Sequence, residues 1–476
     1  MASPQRSFPK AGRLPRKAAW VILTVALLAV VQAYVPFVKN YRFFNLDSFR
    51  DVARFTHPLP EGGPASTAPA RQQTTAAGTP AVAQSVATTA NPQHPLLDPG
   101  HALDAFFRSL LLTERREGAA VTTILHYGES PTSADLITAD ARRLLQARFG
   151  NAGHGFVLIA KPWGWYSHDG VVLKASGWRI EPASSAKLKD GFYGLGGVSF
   201  TGSPRSRSEI RILDRTHTHV EVSYLAQPGG GRFAVLSGRQ LLGEVDTQSE
   251  EPRPGFAGFE LPPQAGEVVI QGVEGPIRLF GLTLLKAAPG VVYHSLGLNG
   301  AYSEVLGRRF DLEHWREQIR HYHPDLIIIN YGTNETGHGV FPEKWYEGVW
   351  ERALDRARDA AGETPLLVMS PMDVGTRGES GEITTLQALE QLMAVQRRVA
   401  LAQNLPVYNT FLAMGGAGTM ARWYAATPRL VSADYIHPTP AGAKIVAGEF
   451  IQALLEDYDN FKRRPQPEPP GPGRGR

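Results

Sequence analysis

Val121-Thr122-Thr123-Ile124-Leu125-His126-Tyr127-Gly128-Glu129-Ser130 decides the fold class of this chain. Its first five residues are short, apolar and β-branched, as a buried strand requires, and a glycine-led turn follows. Beyond Ser130, Ile137, Ala141, Leu144, Leu145 and Phe149 recur at helical spacing. Strand, tight turn and helix make half of a parallel α/β unit. The same grammar returns later in the chain. Strands are predicted at Val291–Leu296, Leu326–Asn330, Leu366–Ser370 and Val407–Thr410, with helices over Trp315–His321, Trp345–Ala360, Leu386–Ala402 and Ala441–Leu455. Five strands with intervening helices predict an α/β fold with a doubly wound, flavodoxin-like parallel sheet.

Residues 165–288 break that alternation. Short strand-like pieces (Val171–Lys174, Glu209–Leu213, His219–Leu225, Phe233–Leu236, Val268–Ile270, Ile277–Phe280) are separated by Gly, Pro and Ser turns. The pattern is that of an antiparallel β-sandwich inserted into the α/β domain. The α/β domain itself is therefore expected over 98–164 and 289–460, opening with a helix capped by Asp98-Pro99 and stopping near Gly118. Gly62–Pro95 is rich in Ala, Pro, Thr, Ser and Gln with one charge, Arg71, and reads as a spacer within a 39–97 juxtamembrane segment and linker. A Pro/Gly/Arg tail covers 461–476.

Ala18–Val38 holds 21 residues without a charge, after five basic residues in 1–17, with Trp20 and Tyr34 near its ends. That length matches the ~20 residues a membrane-spanning helix needs, and the basic flank places the N-terminus in the cytoplasm. A cleaved signal peptide is the rival, but the apolar run is long for one and no small-x-small cleavage site stands out. The formal charge of +4 is concentrated in the two termini, which leaves residues 18–461 net acidic. No basic footprint for nucleic acid is present in the body of the chain. With no cysteine, disulfides, thiolate nucleophiles and Cys-based zinc sites are excluded.

The candidate chemistry is spread over four segments in order: Tyr127-Gly128-Glu129-Ser130, Asn299-Gly300, Gly332-Thr333-Asn334-Glu335 and Asp434-Tyr435-Ile436-His437. A serine hydroxyl becomes a nucleophile when a neutral imidazole takes its proton and a carboxylate steadies the imidazolium. Ser130, at the end of a strand and the start of a helix, is the candidate nucleophile, with His437 as base. Three residues on a tight turn let Asp434 reach Nδ1 of His437 and leave Nε2 for the serine. The backbone N–H groups of Gly300 and Ser130 and the side-chain amide of Asn334 are suited to hold an oxyanion. No cofactor or metal is needed.

These four segments resemble the blocks of the SGNH (GDSL-type) hydrolases. The resemblance implies a three-layer α/β/α fold and maps the family's Ser, Gly, Asn and His onto Ser130, Gly300, Asn334 and His437, with Asp434 completing the triad. The inserted β-module, Phe149-Gly-Asn-Ala-Gly-His-Gly-Phe156 and Met414-Gly-Gly-Ala-Gly418 are similar to bacterial peptidoglycan O-acetylesterases. It implies removal of acetyl groups from a cell-wall or extracellular polysaccharide by an enzyme held by its N-terminal helix in the bacterial inner membrane, outside the cytoplasm. Transfer of the acetyl group to a sugar, and polysaccharide binding without catalysis, remain the alternatives. Two departures stand out: Glu129 and Glu335 replace the family's Asp at both positions, keeping the charge and adding one methylene.

Other residues carry weaker signals. Trp163, Trp165 and Tyr166, with Trp178, cluster at the start of the insertion and could stack on sugars or pack a domain junction. His126, His154, His294 and His338 could approach the site. His217/His219 and His321/His323 have the look of metal ligands but lack companion carboxylates, so a strand face and a helix end are the better readings. Gly416-x-Gly418-x-x-Ala421 follows the last predicted strand instead of the first, against a dinucleotide site.

Overall fold

The computed structural model describes residues 94–185, 187–337 and 341–464. The expected membrane segment, most of the linker, His338 and most of the tail lie outside these residues. Among the described residues no helix is long and apolar enough to cross a membrane.

Six strands form the central sheet: β1 (Leu96–Leu97), β2 (Val121–Gly128), β3 (Gly290–Gly297), β4 (Leu326–Asn330), β5 (Leu366–Met369) and β6 (Val407–Tyr408), in the order β1-β6-β5-β4-β2-β3. The five from β2 onward are parallel to their neighbours and follow the flavodoxin-like order, whereas β1 pairs antiparallel with β6 at the edge. Two residues are too few to carry a periodicity, so this edge strand has no sequence signal. In this order the chain reverses direction across the sheet between β2 and β4. Their carboxyl ends open a crevice there, the usual place for ligands on such sheets.

The helices are α1 (Asp104–Glu114), α2 (Leu136–Phe149), α3 (Leu312–Tyr322), α4 (Glu343–Ala361), α5 (Gln387–Ala402) and α6 (Pro440–Arg463). Strand alternation sorts the buried residues between two layers. Leu125, Tyr127, Ile327 and Ile329 pack with Trp315, Trp350, Leu354 and Leu392 of α3 to α5. Ile124, Tyr293, Leu326 and Ile328 pack with Phe106, Leu145 and Phe450 of α1, α2 and α6. The strands are apolar on both faces because both are covered.

The expected cap at Asp98 is corrected. Its carboxylate accepts the Ala102 and Leu103 N–H groups in a turn before α1. His101 stands at φ +52°, outside the helical region, and α1 starts only at Asp104 and ends at Glu114.

The insertion consists of two antiparallel sheets with a shared apolar interior. One has the order Gln240–Asp246, Arg232–Ser237, Glu267–Glu274, Arg207–Ile212, Val171–Ser176. The other runs Arg253–Glu260, His219–Ala226, Ile277–Leu285, Val198–Gly202, Arg179–Pro182. Gly153–Val157 also pairs with Ile277–Leu285, so the antiparallel pairing begins upstream of residue 165. This module is fused to α3. Phe256 stacks on His321 at 3.5 Å, His321 Nε2 lies 2.9 Å from Glu221, and Thr283 donates to the Tyr322 hydroxyl.

Candidate active site

β2 delivers Ser130 to the crevice. Behind it a single helical turn, Ser130–Ser133, holds Pro131 as its second residue, where a missing N–H is no loss. Gly128 is required by space, because a Cβ there would lie 2.3 Å from Thr132 Oγ1. The turn is locked by Ser133 N–H donating to Glu129 O at 2.9 Å and Ser133 Oγ to Ser130 O at 2.9 Å.

From the far end of the chain, residues 432–439 bring the imidazole. Ser432 N–H donates to His437 O at 2.8 Å, Tyr435 takes a left-handed φ of +62°, and Thr439 caps α6 by accepting from Gly442 N–H. His437 Nε2 is thereby 2.9 Å from Ser130 Oγ, and His437 Nδ1 is 2.7 Å from Asp434 Oδ2. Asp434 Oδ1 also accepts the N–H groups of Ile436 and His437, each at 3.0 Å. Partial burial alone would raise the Asp434 carboxyl, but these hydrogen bonds outweigh it and bring its pKa down to about 2. An ionised Asp434 accepting from Nδ1 leaves Nε2 unprotonated and able to accept from the serine.

Below the crevice lies a second acidic arrangement. Glu129 is buried, and its Oε1 accepts from Gly332 N–H at 3.1 Å and Asn334 N–H at 3.3 Å, while Oε2 accepts from Thr333 N–H at 3.0 Å. Glu129 thus holds the loop after β4 against the turn after β2. Asn334 donates one amide N–H to Ala301 O at 2.8 Å and keeps another free. Gly300, at φ +64°, sits one residue before Ala301, so its loop and Asn334 are tied together. Glu335 Oε1 accepts from Ser303 N–H at 2.6 Å and from the Ser303 hydroxyl, whereas its buried Oε2 has no partner. Burial, then the neighbouring Glu129, push the Glu335 pKa up to about 8. Burial raises Glu129 too, but the donors of residues 332–334 oppose it. Of the pair, Glu129 is the one built to stay ionised, because three N–H groups converge on it.

Of the three aromatic candidates, the structure separates one from the others. Tyr166 is only 5% exposed and its hydroxyl accepts from Leu158 N–H at 3.0 Å, so it is a packing residue, which corrects the expectation of sugar contact. Trp163 packs edge-on against Tyr166, and Trp178 covers Gly202. Trp165 is 60% exposed. Its loop is fastened beside the Ser130 turn, with Ser167 Oγ donating to Ala134 O at 2.8 Å and Asp169 N–H to Asp135 Oδ2 at 2.9 Å.

The histidines are mostly structural. His126 and His294 are buried, each depressed by burial to a pKa of about 3, and His126 Nδ1 meets the Tyr293 hydroxyl at 2.7 Å. His217 Nδ1 donates to Asp214 O, His219 pairs with Glu260, and His323 terminates α3. His154 belongs to a buried network that sequence reasoning missed. His154 Nε2 lies 2.9 Å from His168 Nδ1, which is 3.2 Å from Asp135 Oδ2, and Arg142 makes a two-pronged contact with Asp135. Arg142 is 3% exposed and reaches back along α2 to Asp135, the left-handed residue that precedes the helix. An arginine on the apolar face of α2 was the available signal. Among the described residues no group of His, Asp or Glu is arranged to hold a metal ion.

Residues 275–445 match the GDSL-like lipase/acylhydrolase family, a span that includes Gly300, Asn334, Asp434 and His437. Over that span the chain is similar to GDSL-like lipases and acylhydrolases. It has the SGNH hydrolase fold and is a hydrolase acting on carboxylic ester bonds. The structure is similar to that of a peptidoglycan O-acetylesterase, with 21% identity over 77% of this chain and 99% of that one and a TM-score of 0.66. A family two carbohydrate esterase from Clostridium thermocellum in complex with cellohexaose matches at 10% identity over 61% of this chain and 100% of that one, with a TM-score of 0.27. A search of curated proteins gives no match.

Proposed function

We propose that this acylhydrolase removes O-acetyl groups from an acetylated cell-wall or extracellular polysaccharide. Ser130 attacks the ester carbonyl as His437 takes its proton, and Asp434 stabilises the imidazolium. The Gly300 and Ser130 N–H groups and the free amide N–H of Asn334 hold the oxyanion. The imidazolium then protonates the leaving sugar oxygen, and water activated at His437 releases acetate from the acyl-enzyme. The observation that carries this reading is the unbroken chain from Asp434 Oδ2 to His437 at 2.7 Å and on to Ser130 Oγ at 2.9 Å. No cofactor takes part.

Hydrolysis is favoured over transfer by the exposure of the His437 and Asp434 side chains, 41% and 46%, which leaves water beside the imidazole. A transferase has to keep that water out. Binding without catalysis is disfavoured because Glu129, despite its extra methylene, engages three loop N–H groups. The polysaccharide reading is supported by Trp165, an exposed ring on a loop fixed beside the Ser130 turn. The insertion shapes this side of the crevice. We further propose that residues 18–38 anchor the chain in the bacterial inner membrane, with the catalytic domain in the periplasm or outside the cell.

The test is acetate release from an aryl acetate and from acetylated wall polymer by the full-length chain and its Ser130→Ala variant. The variant is expected to lose about 10⁴-fold or more in kcat with an unchanged melting temperature. Equal rates for the two proteins would sink the proposal.

A further inference from the structure

Residues 422–431 pack beside the Asp434–His437 turn. They are stitched to the segment that carries the imidazole: Thr439 N–H donates to Leu430 O at 3.0 Å, Thr439 Oγ1 to Arg429 O at 2.9 Å, and Val431 bridges to Pro438. Arg429 is therefore held in fixed register with His437. Its exposed guanidinium lies over the Tyr424 ring, 4.2 Å from the centroid, and Tyr424 in turn meets Tyr435 edge-on at 4.8 Å. Tyr435 is the residue of the catalytic turn held at positive φ.

The two arginines of this segment are used differently. Arg422 spends its donors on Gly415 O, Ala417 O and Thr419 Oγ1, so it braces the preceding loop. Arg429 has no hydrogen-bond or ion-pair partner for its guanidinium among the described residues. Stacking on a ring restrains a guanidinium without occupying its N–H groups, which lie in the plane and point outward. The one carboxylate of the catalytic turn, Asp434, is already engaged by His437. A planar, always charged, five-donor group held in place at the rim of an ester-cleaving site matches a carboxylate bidentately.

We propose that Arg429 is a specificity-determining residue that binds a carboxylate borne by the acetylated glycan, so that the enzyme selects acidic over neutral acetylated polysaccharides. This rests on the esterase reading and names its substrate class. The carboxylate belongs to the sugar's own acidic substituent or to a peptide attached to it, and both present the same group to Arg429.

The test compares wild type, Arg429→Gln and Arg429→Lys on four substrates: an aryl acetate, a neutral acetylated cello-oligosaccharide, an acidic acetylated glycan stripped of peptide, and the same glycan with peptides intact. Arg429→Gln is expected to raise KM about tenfold on at least one acidic glycan with kcat unchanged, and to leave the aryl and neutral substrates unaffected. Arg429→Lys is expected to recover part of the affinity, with steeper salt dependence, because a point charge replaces the fork. The acidic substrate whose KM moves identifies the source of the carboxylate. An unchanged KM on both acidic glycans, or equal losses on neutral and acidic substrates, overturns the assignment. Binding of acidic and neutral glycans to Ser130→Ala and to the Ser130→Ala/Arg429→Gln double variant reads the subsite without turnover. A preference lost in the double variant upholds Arg429 even if Ser130-dependent hydrolysis fails.

Discussion

Two acidic arrangements flank Ser130, and they are built on opposite physical terms. The Asp434–His437 turn is local and wet: its partners are three residues apart, its side chains are nearly half exposed, and its carboxyl sits at about 2. The floor made by Glu129 and residues 332–335 is long-range and dry. Its carboxylates are buried, its contacts join residues about two hundred positions apart, and Glu335 is raised to about 8. The turn holds a base; the floor holds a loop. Removing charge from the turn should therefore cost rate, and removing it from the floor should cost structure first.

The largest effect within this contrast is expected for Asp434→Asn. An amide in place of the carboxylate stabilises the imidazolium poorly and favours the wrong tautomer, a change that costs up to about 10⁴ in kcat in a buried triad. Because Asp434 is half exposed, water replaces part of its role, and a fall of roughly 10²–10³ in kcat with little change in melting temperature is expected. Steady-state kinetics beside thermal unfolding checks both. A loss of stability matching the loss of rate would erase the distinction between turn and floor.

Glu129→Gln should reverse the pattern. Both carboxylate oxygens accept backbone N–H groups, so an amide turns an NH₂ toward a donor and strands at least one buried N–H. An unsatisfied buried donor costs roughly 1–3 kcal/mol, and the loop it releases carries Asn334. Denaturant unfolding should show the loss of stability. A fall of about tenfold or more in kcat is expected beside it, from a displaced oxyanion donor. Wild-type stability in Glu129→Gln would mean that Glu129 does not hold the loop.

The same contrast explains what the sequence made legible. Asp434 and His437 are three apart, so their partnership can be read from chemistry and turn geometry alone. The parallel strands were equally readable, because β4 and β5 are apolar on both faces and the chain states that directly. Glu129 reaching residues 332–334 depends on β2 and β4 being neighbours, which no local pattern reports. Asp135, Arg142, His168 and His154 likewise come from two segments joined only by the fold. The aromatic cluster at 163–166 is legible only in part: composition places rings near one another but does not say which side of a loop faces water, and of these rings Tyr166 is buried while Trp165 is exposed. Glu335 lies between these cases, since its neighbourhood to Asn334 is local but its protonation is a consequence of burial beside Glu129.

That protonation gives the smallest and most discriminating prediction. A carboxyl held at about 8 in the folded protein, against 4.5 for the free group, keeps its proton over a range where the unfolded chain has lost it. The folded state then binds more protons than the unfolded one, so this group makes stability decline as pH rises above about 4.5, with the decline complete once the pH has passed about 8. Glu335→Gln resembles the protonated acid, and its carbonyl oxygen can still accept from Ser303. The variant should keep near wild-type kcat at neutral pH. Its melting temperature relative to wild type should rise between pH 5 and about pH 8 and level off above that, because over this range only the wild type gives up a proton on unfolding. Thermal unfolding of both proteins across that range is the measurement. A pH-independent difference would mean that Glu335 is ionised throughout, and the shared burden of the floor would then have to be assigned to Glu129, the carboxylate that three loop N–H groups are placed to stabilise.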